Sequence, residues 1–245
     1  LRPLLRIFER IAAGEEVRAC VSVPPRHAKT ETVLHGAAWL IARNPRFRVG
    51  YASYTASIAF AKSRAARDYT ISAGVALRPD VTGVSEWRTP LGGGMLATGR
   101  GGALTGHGVD LLIVDDPFKN RSEADSPTIR ESCFNWYTST ARTRLEPGGS
   151  IIIPHTRWHP HDLIGRLKAA ELGYEHIVLP AIDSDGRPLW SERYDLPALH
   201  AIRDEVGDYD WQSLFMQNPV ARKGLVYEMF SSAHVVDPED VPKTF

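Results

Sequence analysis

The chain carries no excess charge of either sign, almost no cysteine and no long hydrophobic run, and each lack closes off a class of protein. Lys plus Arg number 29 and Asp plus Glu number 29, so the formal net charge is zero. A bulk electrostatic pull toward nucleic acid is therefore missing, and any DNA contact has to be local. Two cysteines, Cys20 in an apolar strand-like segment and Cys133 in a helix-like one, make neither a disulfide framework nor a metal quartet and read as core residues. No apolar stretch is long enough to span a bilayer, and no secretory signal leads the chain. Internal repeats and low-complexity tracts are missing too. The chain begins at Leu1 rather than Met, which reads as a piece of a longer, cytosolic protein. What remains is 245 residues, 43% apolar and 24% charged, enough for one substantial α/β core or two small ones.

The most informative run is Val23-Pro24-Pro25-Arg26-His27-Ala28-Lys29-Thr30. It follows the apolar segment Ala19-Cys20-Val21-Ser22-Val23 and precedes a helical pattern from Thr32 to Ala42. Strand, tight loop ending in Lys-Thr, then helix is a phosphate-gripping layout. It combines backbone N–H groups at a helix N-terminus, a lysine for the β/γ-phosphates and a hydroxyl for Mg²⁺. Glycine is lacking where the consensus G-x-x-x-x-G-K-[ST] wants it, because Val23 and Ala28 stand there. Alone, the Lys-Thr pair reads equally well as an ordinary helix start.

A second run bears on that choice. Val109-Asp110-Leu111-Leu112-Ile113-Val114-Asp115-Asp116-Pro117 reads as a buried parallel strand ending in two acids. Such a strand places carboxylates at the carboxyl edge of the sheet, where open α/β sheets bind ligands. Asp115 can hold Mg²⁺ through its water shell, and Asp116 can polarise the water that attacks a γ-phosphate. A capping Asp followed by a surface Asp is the ordinary alternative. The two runs together favour the nucleotide site.

Along the chain, Leu4, Leu5, Phe8, Ile11 and Ala12 recur at helical spacing, and Gly14 stops that helix. Strands are expected near 17–23, 47–52, 109–114, 150–156 and 176–180, with helices near 32–43, 55–72, 123–144 and 161–170 between them. Strand–helix alternation gives an α/β fold with a mainly parallel sheet flanked by helices. Within the glycine-rich stretch 83–108, Trp87-Arg88-Thr89 and Met95-Leu96-Ala97-Thr98 flank Gly92-Gly93-Gly94 as a hairpin on the sheet edge. Pro147-Gly148-Gly149 is expected to turn the chain into the strand at 150–156. After Pro180 the pattern weakens, with short helices expected near 197–206 and 209–217.

The strand ending His155-Thr156-Arg157-Trp158 offers polar groups at its tip. Thr156 or His155 could touch the γ-phosphate or its attacking water, and Arg157 could carry the signal onward. His155, His159, His161 and Asp162 are also metal-ligand types packed closely together. Zinc wants three or four convergent ligands, and Pro160 with the helix start would splay these, so capping by Asp162 or His159 is the preferred reading.

With these residues in view, the chain resembles the ATPase domain of phage large terminase subunits. The resemblance rests on V-P-P-R-H-A-K-T as a deviant Walker A, G-G-A-L-T-G-H-G before the strand, and L-L-I-V-D-D-P as a Walker B. It continues with N-R-S-E-A-D-S-P, R-T-R-L-E-P-G-G, T-R-W-H-P-H-D-L as the coupling region and W-Q-S-L-F-M-Q-N-P-V near the end. It implies a P-loop NTPase of the ASCE, RecA-like kind that uses ATP and Mg²⁺ to drive double-stranded DNA into a procapsid. Pro24, Pro25, Arg26, His27, Ala28, Lys29 and Thr30 would bind the nucleotide. Thr30 and Asp115 would hold Mg²⁺, Asp116 would orient the water, and Arg26 would sense or stabilise the γ-phosphate. His155, Thr156 and Arg157 would form the coupling region, and Arg100, Arg142 or Arg144 would act in trans. Two departures stand out: Ala28 replaces a loop glycine, and Asp116 stands where related motors carry the longer Glu.

The implied partners are DNA, a portal protein, a small terminase subunit and further copies in a ring, a pentamer by resemblance, in the cytoplasm of a bacterial host, with no membrane. Residues 1–220 would form the ATPase domain, its core about 15–182 and a smaller helical subregion about 183–220. Residues 221–245, with Asp237, Glu239 and Asp240, would be a linker toward a nuclease domain that the chain lacks, so no nuclease activity is expected. The alternatives are another P-loop DNA-dependent ATPase, helicase- or recombinase-like, and a degenerate P-loop binding module. A helicase would need a second tandem core, for which the length leaves no room. A dead site has no chemical reason to keep Lys29, Thr30, Asp115 and Asp116 together.

Overall fold

The computed structural model describes residues 1–104 and 108–220. Its centre is a seven-stranded sheet in the order β3-β4-β2-β5-β6-β1-β7. The strands are β1 (Arg18–Ser22), β2 (Arg48–Ser53), β3 (Glu86–Arg88), β4 (Gly94–Gly99), β5 (Val109–Val114), β6 (Leu145–His155) and β7 (Glu175–Val178). Every pairing is parallel except β3 with β4, the hairpin expected at the edge. Trp87 anchors that hairpin: it is fully buried and its indole N–H donates to Ser63 Oγ at 3.0 Å.

The strand sequences read as unbroken apolar runs because helices cover both faces. Alternate residues part to opposite sides, as the period of two requires. Ala19, Val21, Leu111, Ile113 and Ile152 meet one cluster with α1 (Arg2–Ala12), α2 (Lys29–Arg43) and α3 (Ala56–Ser72). Cys20, Leu112, Val114, Ile151 and Ile153 meet the other, with α5 (Pro127–Trp136) and α6 (Leu163–Ala169). Both cysteines are buried and free. In α1 the buried positions Leu4, Ile7, Phe8 and Ile11 form one stripe. It lies so close to α2 that a Cβ on Gly36 would come within 2.6 Å of the Phe8 ring.

Two local expectations are corrected. The single helix over 123–144 is four pieces: α4 (Arg121–Asp125), α5, a π turn at Tyr137–Ala141 and a 3₁₀ turn at Arg142–Arg144. Pro127 has no N–H to continue a helix, and the Ser126 side chain caps a new one by accepting from Ile129 N. Pro147-Gly148-Gly149 does not turn the chain into β6 but sits inside it, as a bulge where the register passes from Val109↔Leu145 to Leu111↔Ser150. Beyond β7, Ala181, Leu199, Trp211 and Phe215 form a third, small cluster. There α7 (Leu196–Asp210) breaks its helical path at Gly207, φ 77°, and a π turn at Trp211–Phe215 follows. Among the described residues no helix is long and apolar enough to cross a membrane. The expected linker, 221–245, lies outside the described residues, as do Thr105, Gly106 and His107.

Candidate functional site

At the carboxyl edge of the sheet, the loop after β1 leads directly into α2. Two of its non-glycine residues hold left-handed backbone, Arg26 at φ 62° and Ala28 at φ 55°. Ala28 is the N-cap of α2 and offers no capping side chain, so the helix N-terminus keeps backbone N–H groups for an anion. Here the missing glycine has a cost, because a Cβ in this region is disfavoured by roughly 1–2 kcal/mol. His27 is buried, its Nδ1 lies 2.8 Å from Pro25 O, and its ring stacks on Tyr194 with centroids 4.8 Å apart. Burial pushes the His27 imidazole below its ordinary range.

The loop meets both acids. Lys29, buried, sets its ammonium 2.5 Å from Asp116 Oδ1 and 3.2 Å from Thr156 Oγ1. Thr30 Oγ1 donates to Asp115 Oδ2 at 2.8 Å, and the Tyr51 hydroxyl donates to the same oxygen at 2.7 Å. Asp115 Oδ1 is buried with no hydrogen-bond partner among the described residues. Burial raises the Asp115 carboxyl and the neighbouring Asp116 charge adds to it, while Lys29, Tyr51 and Thr30 oppose them.

Asp116 is held differently. It sits at φ 43°, left-handed and immediately before Pro117, a position that disfavours helical backbone. Its Oδ1 accepts from three sides: Lys29, the Thr156 N–H at 2.9 Å, and His155 Nδ1 at 3.3 Å. No donor among the described residues reaches Oδ2, and the side chain keeps 32% exposure. Burial alone would raise this carboxyl, but Lys29 and His155 hold it well below the usual carboxylate range. One oxygen is fixed and the other is free to take a water.

Behind this pair the charges continue inward. His155 Nε2 lies 3.6 Å from Asp162 Oδ2, beyond hydrogen-bond range and so a charge contact. Asp162 is buried, receives Arg157 Nε at 2.9 and 3.0 Å, and caps α6 by accepting from Gly165 N at 3.0 Å. The Arg157 N–H donates to Gln217 Oε1 at 3.1 Å, which ties the strand tip to the segment after the last π turn. The cap read for Asp162 is therefore present. The zinc set is not: among the described residues no three His, Cys, Asp or Glu side chains converge as metal ligands. Asp162 is taken up by Arg157, and the His159 and His161 rings stand 5.6 Å apart.

A cleft of about 660 Å³ opens over the loop, a volume suited to a nucleotide-sized ligand. Pro24, Pro25, Arg26, Ala28, Lys29, Thr30, Asp116 and Thr156 line it, with Trp158, Trp190, Arg193, Lys62 and Lys119 around them. His27 is turned away from it, toward Tyr194. Of the arginines, Arg26 is exposed on the cleft and has no partner among the described residues. Arg100 pairs within its own chain with Glu123 at 3.0 Å and donates to Pro117 O at 2.8 Å. Arg142 and Arg144 precede β6 at the opposite, amino edge of the sheet.

Sequence reasoning passed over Tyr51, Tyr194, Trp190, Arg193 and Gln217. Only Tyr51 carried a signal, as a lone large polar side chain between Gly50 and Ala52 at the end of an apolar strand. The others come from the weakly patterned region after Pro180; Gln217 lies in the W-Q-S-L-F-M-Q-N-P-V run but had no role assigned, and nothing local places any of them near the loop.

No family model matches the chain, and no curated protein matches it. Solved structures do. The chain is similar to the large terminase of bacteriophage HK97, with a TM-score of 0.58 and 14% identity, over 89% of this chain and 50% of that one. It spans about half the length of that protein. It is likewise similar to the ATPase domain of a Thermus phage large terminase, with a TM-score of 0.56 and 14% identity, over 89% of this chain and 93% of that one. A point mutant of the same domain matches equally. The resemblance carried by the motifs thus extends to the backbone, and the chain has the fold of phage large-terminase ATPase domains.

Proposed function

We propose that this chain is a Mg²⁺-dependent ATPase that powers double-stranded DNA translocation into a viral procapsid. The observation that carries the reading is the meeting of Lys29, Thr30, Asp115, Asp116 and Thr156 at the mouth of one cleft, over an uncapped helix N-terminus. The α2 N-terminus and Lys29 bind the phosphates, and Arg26, unpartnered at the rim, reaches the γ-phosphate. Thr30 and Asp115 fit a magnesium ion: one hydroxyl and one carboxylate, whose Oδ1 is buried and unpartnered among the described residues, match an ion that takes few protein ligands and keeps its waters. Bound there, that ion would neutralise phosphate charge.

Asp116 Oδ2 orients the attacking water, while Oδ1 stays anchored. Phosphate and Asp116 compete for the one Lys29 ammonium, so nucleotide binding loosens one of the three anchors on Oδ1. Thr156 touches both Lys29 and Asp116 and, with His155 and Arg157, reports the exchange toward Gln217. Catalysis is positioning and electrostatics, with little covalent work for the protein. In this reading residues 1–220 are the motor domain and 221–245 lead toward a nuclease. The chain works as a ring on a portal, with a small terminase subunit, in the host cytoplasm, and a neighbouring arginine completes the site.

The test is ATP turnover with and without Mg²⁺ and double-stranded DNA, in wild type and Thr30→Ala. Turnover that needs Mg²⁺, rises with DNA and falls in Thr30→Ala supports the reading. Turnover indifferent to both removes it.

A further inference from the structure

Asp116 owes its position to three donors on one oxygen, and the proposed phosphate binding draws on one of them, Lys29. The Thr156 N–H and His155 Nδ1 remain. The backbone donor is fixed by the strand, but an imidazole can rotate about its side-chain bonds. What holds it is on its far side. His155 is fully buried, its ring is tilted against Phe118 at 5.9 Å, and its Nε2 has one charged neighbour, Asp162, at 3.6 Å. Asp162 is itself fixed from several directions, by Arg157 Nε and by the backbone N–H groups of Trp158, His159 and Gly165. A carboxylate held this firmly sets the ring's orientation rather than following it.

We propose that Asp162 is a positioning residue for hydrolysis: through the His155 imidazole it holds Asp116 so that Oδ2 stays on the cleft. The inference rests on the ATPase reading and deepens it. Asp162 does not line the cleft; among the described residues the one side chain standing between it and Asp116 is the His155 ring, beside a backbone route through Trp158 and Arg157 to the Thr156 N–H. In the arrangement Asp116–His155–Asp162 the ring offers an N–H to Asp116 through Nδ1 and meets Asp162 through Nε2 as a charge contact, without a hydrogen bond. Burial opposes a charged imidazole here, but the two flanking carboxylates outweigh it and raise His155 above its ordinary value. With the imidazole charged, Lys29, His155 and Arg157 face Asp115, Asp116 and Asp162, three cations against three anions. A buried cluster balanced in this way tolerates its own desolvation better than one left with a surplus charge.

The test uses Asp162→Asn, since Asn caps a helix about as well as Asp and keeps the size of the side chain. The expected result is a fall in kcat of about 10- to 100-fold, the range seen when an orienting outer partner is removed, with KM and nucleotide affinity unchanged. On a His155→Leu background the same substitution adds nothing, because the route is already cut. Should Asp162→Asn fail to fold, His155→Gln leaves the Asp162–Arg157 pair intact and is expected to lower kcat without changing KM.

The ¹³C signal of the Asp116 carboxyl reads the link without turnover: it moves in Asp162→Asn and stays still when Asp162→Asn is added to His155→Leu. An unchanged kcat, or an effect that persists in full without His155, overturns the proposal. A wild type that never hydrolyses ATP removes the ATPase reading alone. The carboxyl signals then decide the link, a shift upholding it and no shift overturning it.

Discussion

The two ends of the same parallel strands are built on opposite terms. At the amino edge, Arg48 pairs with Asp110 at 2.8 Å and Glu146 at 3.1 Å, with its side chain 38% exposed to water. The backbone there bends mainly at glycines, with Gly148 taking the positive φ inside the β6 bulge and Glu171, in the turn before β7, the non-glycine exception at φ 50°. At the carboxyl edge, Lys29, His155, Arg157, Asp115 and Asp162 are all buried. There the left-handed positions fall on Arg26, Ala28 and Asp116, which gain nothing locally from that conformation. Exposed pairs contribute little and cost little, whereas buried charge and strained backbone cost several kcal/mol and persist only where the surrounding structure over-determines them. The contrast marks the carboxyl edge as the working end and the amino edge as scaffold.

The sharpest way to break this contrast is Asp116→Asn. It keeps the shape and removes the charge that orients a water. We expect kcat to drop by about 10³-fold, within the range for losing an acid–base group, while nucleotide still binds. Steady-state turnover beside a binding titration reads both.

Next in size is acid stability. Burial would raise the Asp162 carboxyl, but His155 and Arg157 hold it well below its ordinary value. A folded-state value depressed in this way stabilises the protein above the unfolded value, near 3.9, and that stability is lost as pH falls through the folded value. Wild type should therefore weaken steeply below about pH 4. Asp162→Asn should start about 3 kcal/mol less stable at pH 7, from the broken buried pair, and lose less on acidification. Urea midpoints between pH 7 and pH 3 compare the two.

Smaller and opposite in sign is Ala28→Gly. Relief of the left-handed Cβ should outweigh the extra flexibility of the unfolded chain, for a gain of about 0.5–1 kcal/mol by thermal unfolding. Smallest is Arg48→Ala at the amino edge, expected to cost under about 1 kcal/mol, with turnover unchanged. A large loss of activity there would erase the distinction between the two edges.

What could be read in advance follows the same division. The parallel strands were legible because burial on both faces leaves apolar runs, and the Lys-Thr and Asp-Asp pairs because their chemistry depends on adjacent residues. Ser126-Pro127 was an available break signal inside the expected helix 123–144, overridden by the apolar spacing of Ile129, Cys133, Trp136 and Tyr137. The bulge at Pro147-Gly148-Gly149 looked like a turn because a bulge and a turn need the same backbone freedom. Thr156 was found at a strand tip. The contacts of Asp162 with His155 and of Gln217 with Arg157 were not, since they join segments whose spacing no local pattern fixes.

Whether the Lys29–Asp116 cleft binds and hydrolyses ATP is decided by nucleotide binding and turnover with Mg²⁺ in wild type beside Lys29→Ala. Wild type is expected to bind and turn over ATP, and Lys29→Ala to lose both. Lys29→Ala binding nucleotide as tightly as wild type, or a wild type that binds none, would contradict the ATPase reading.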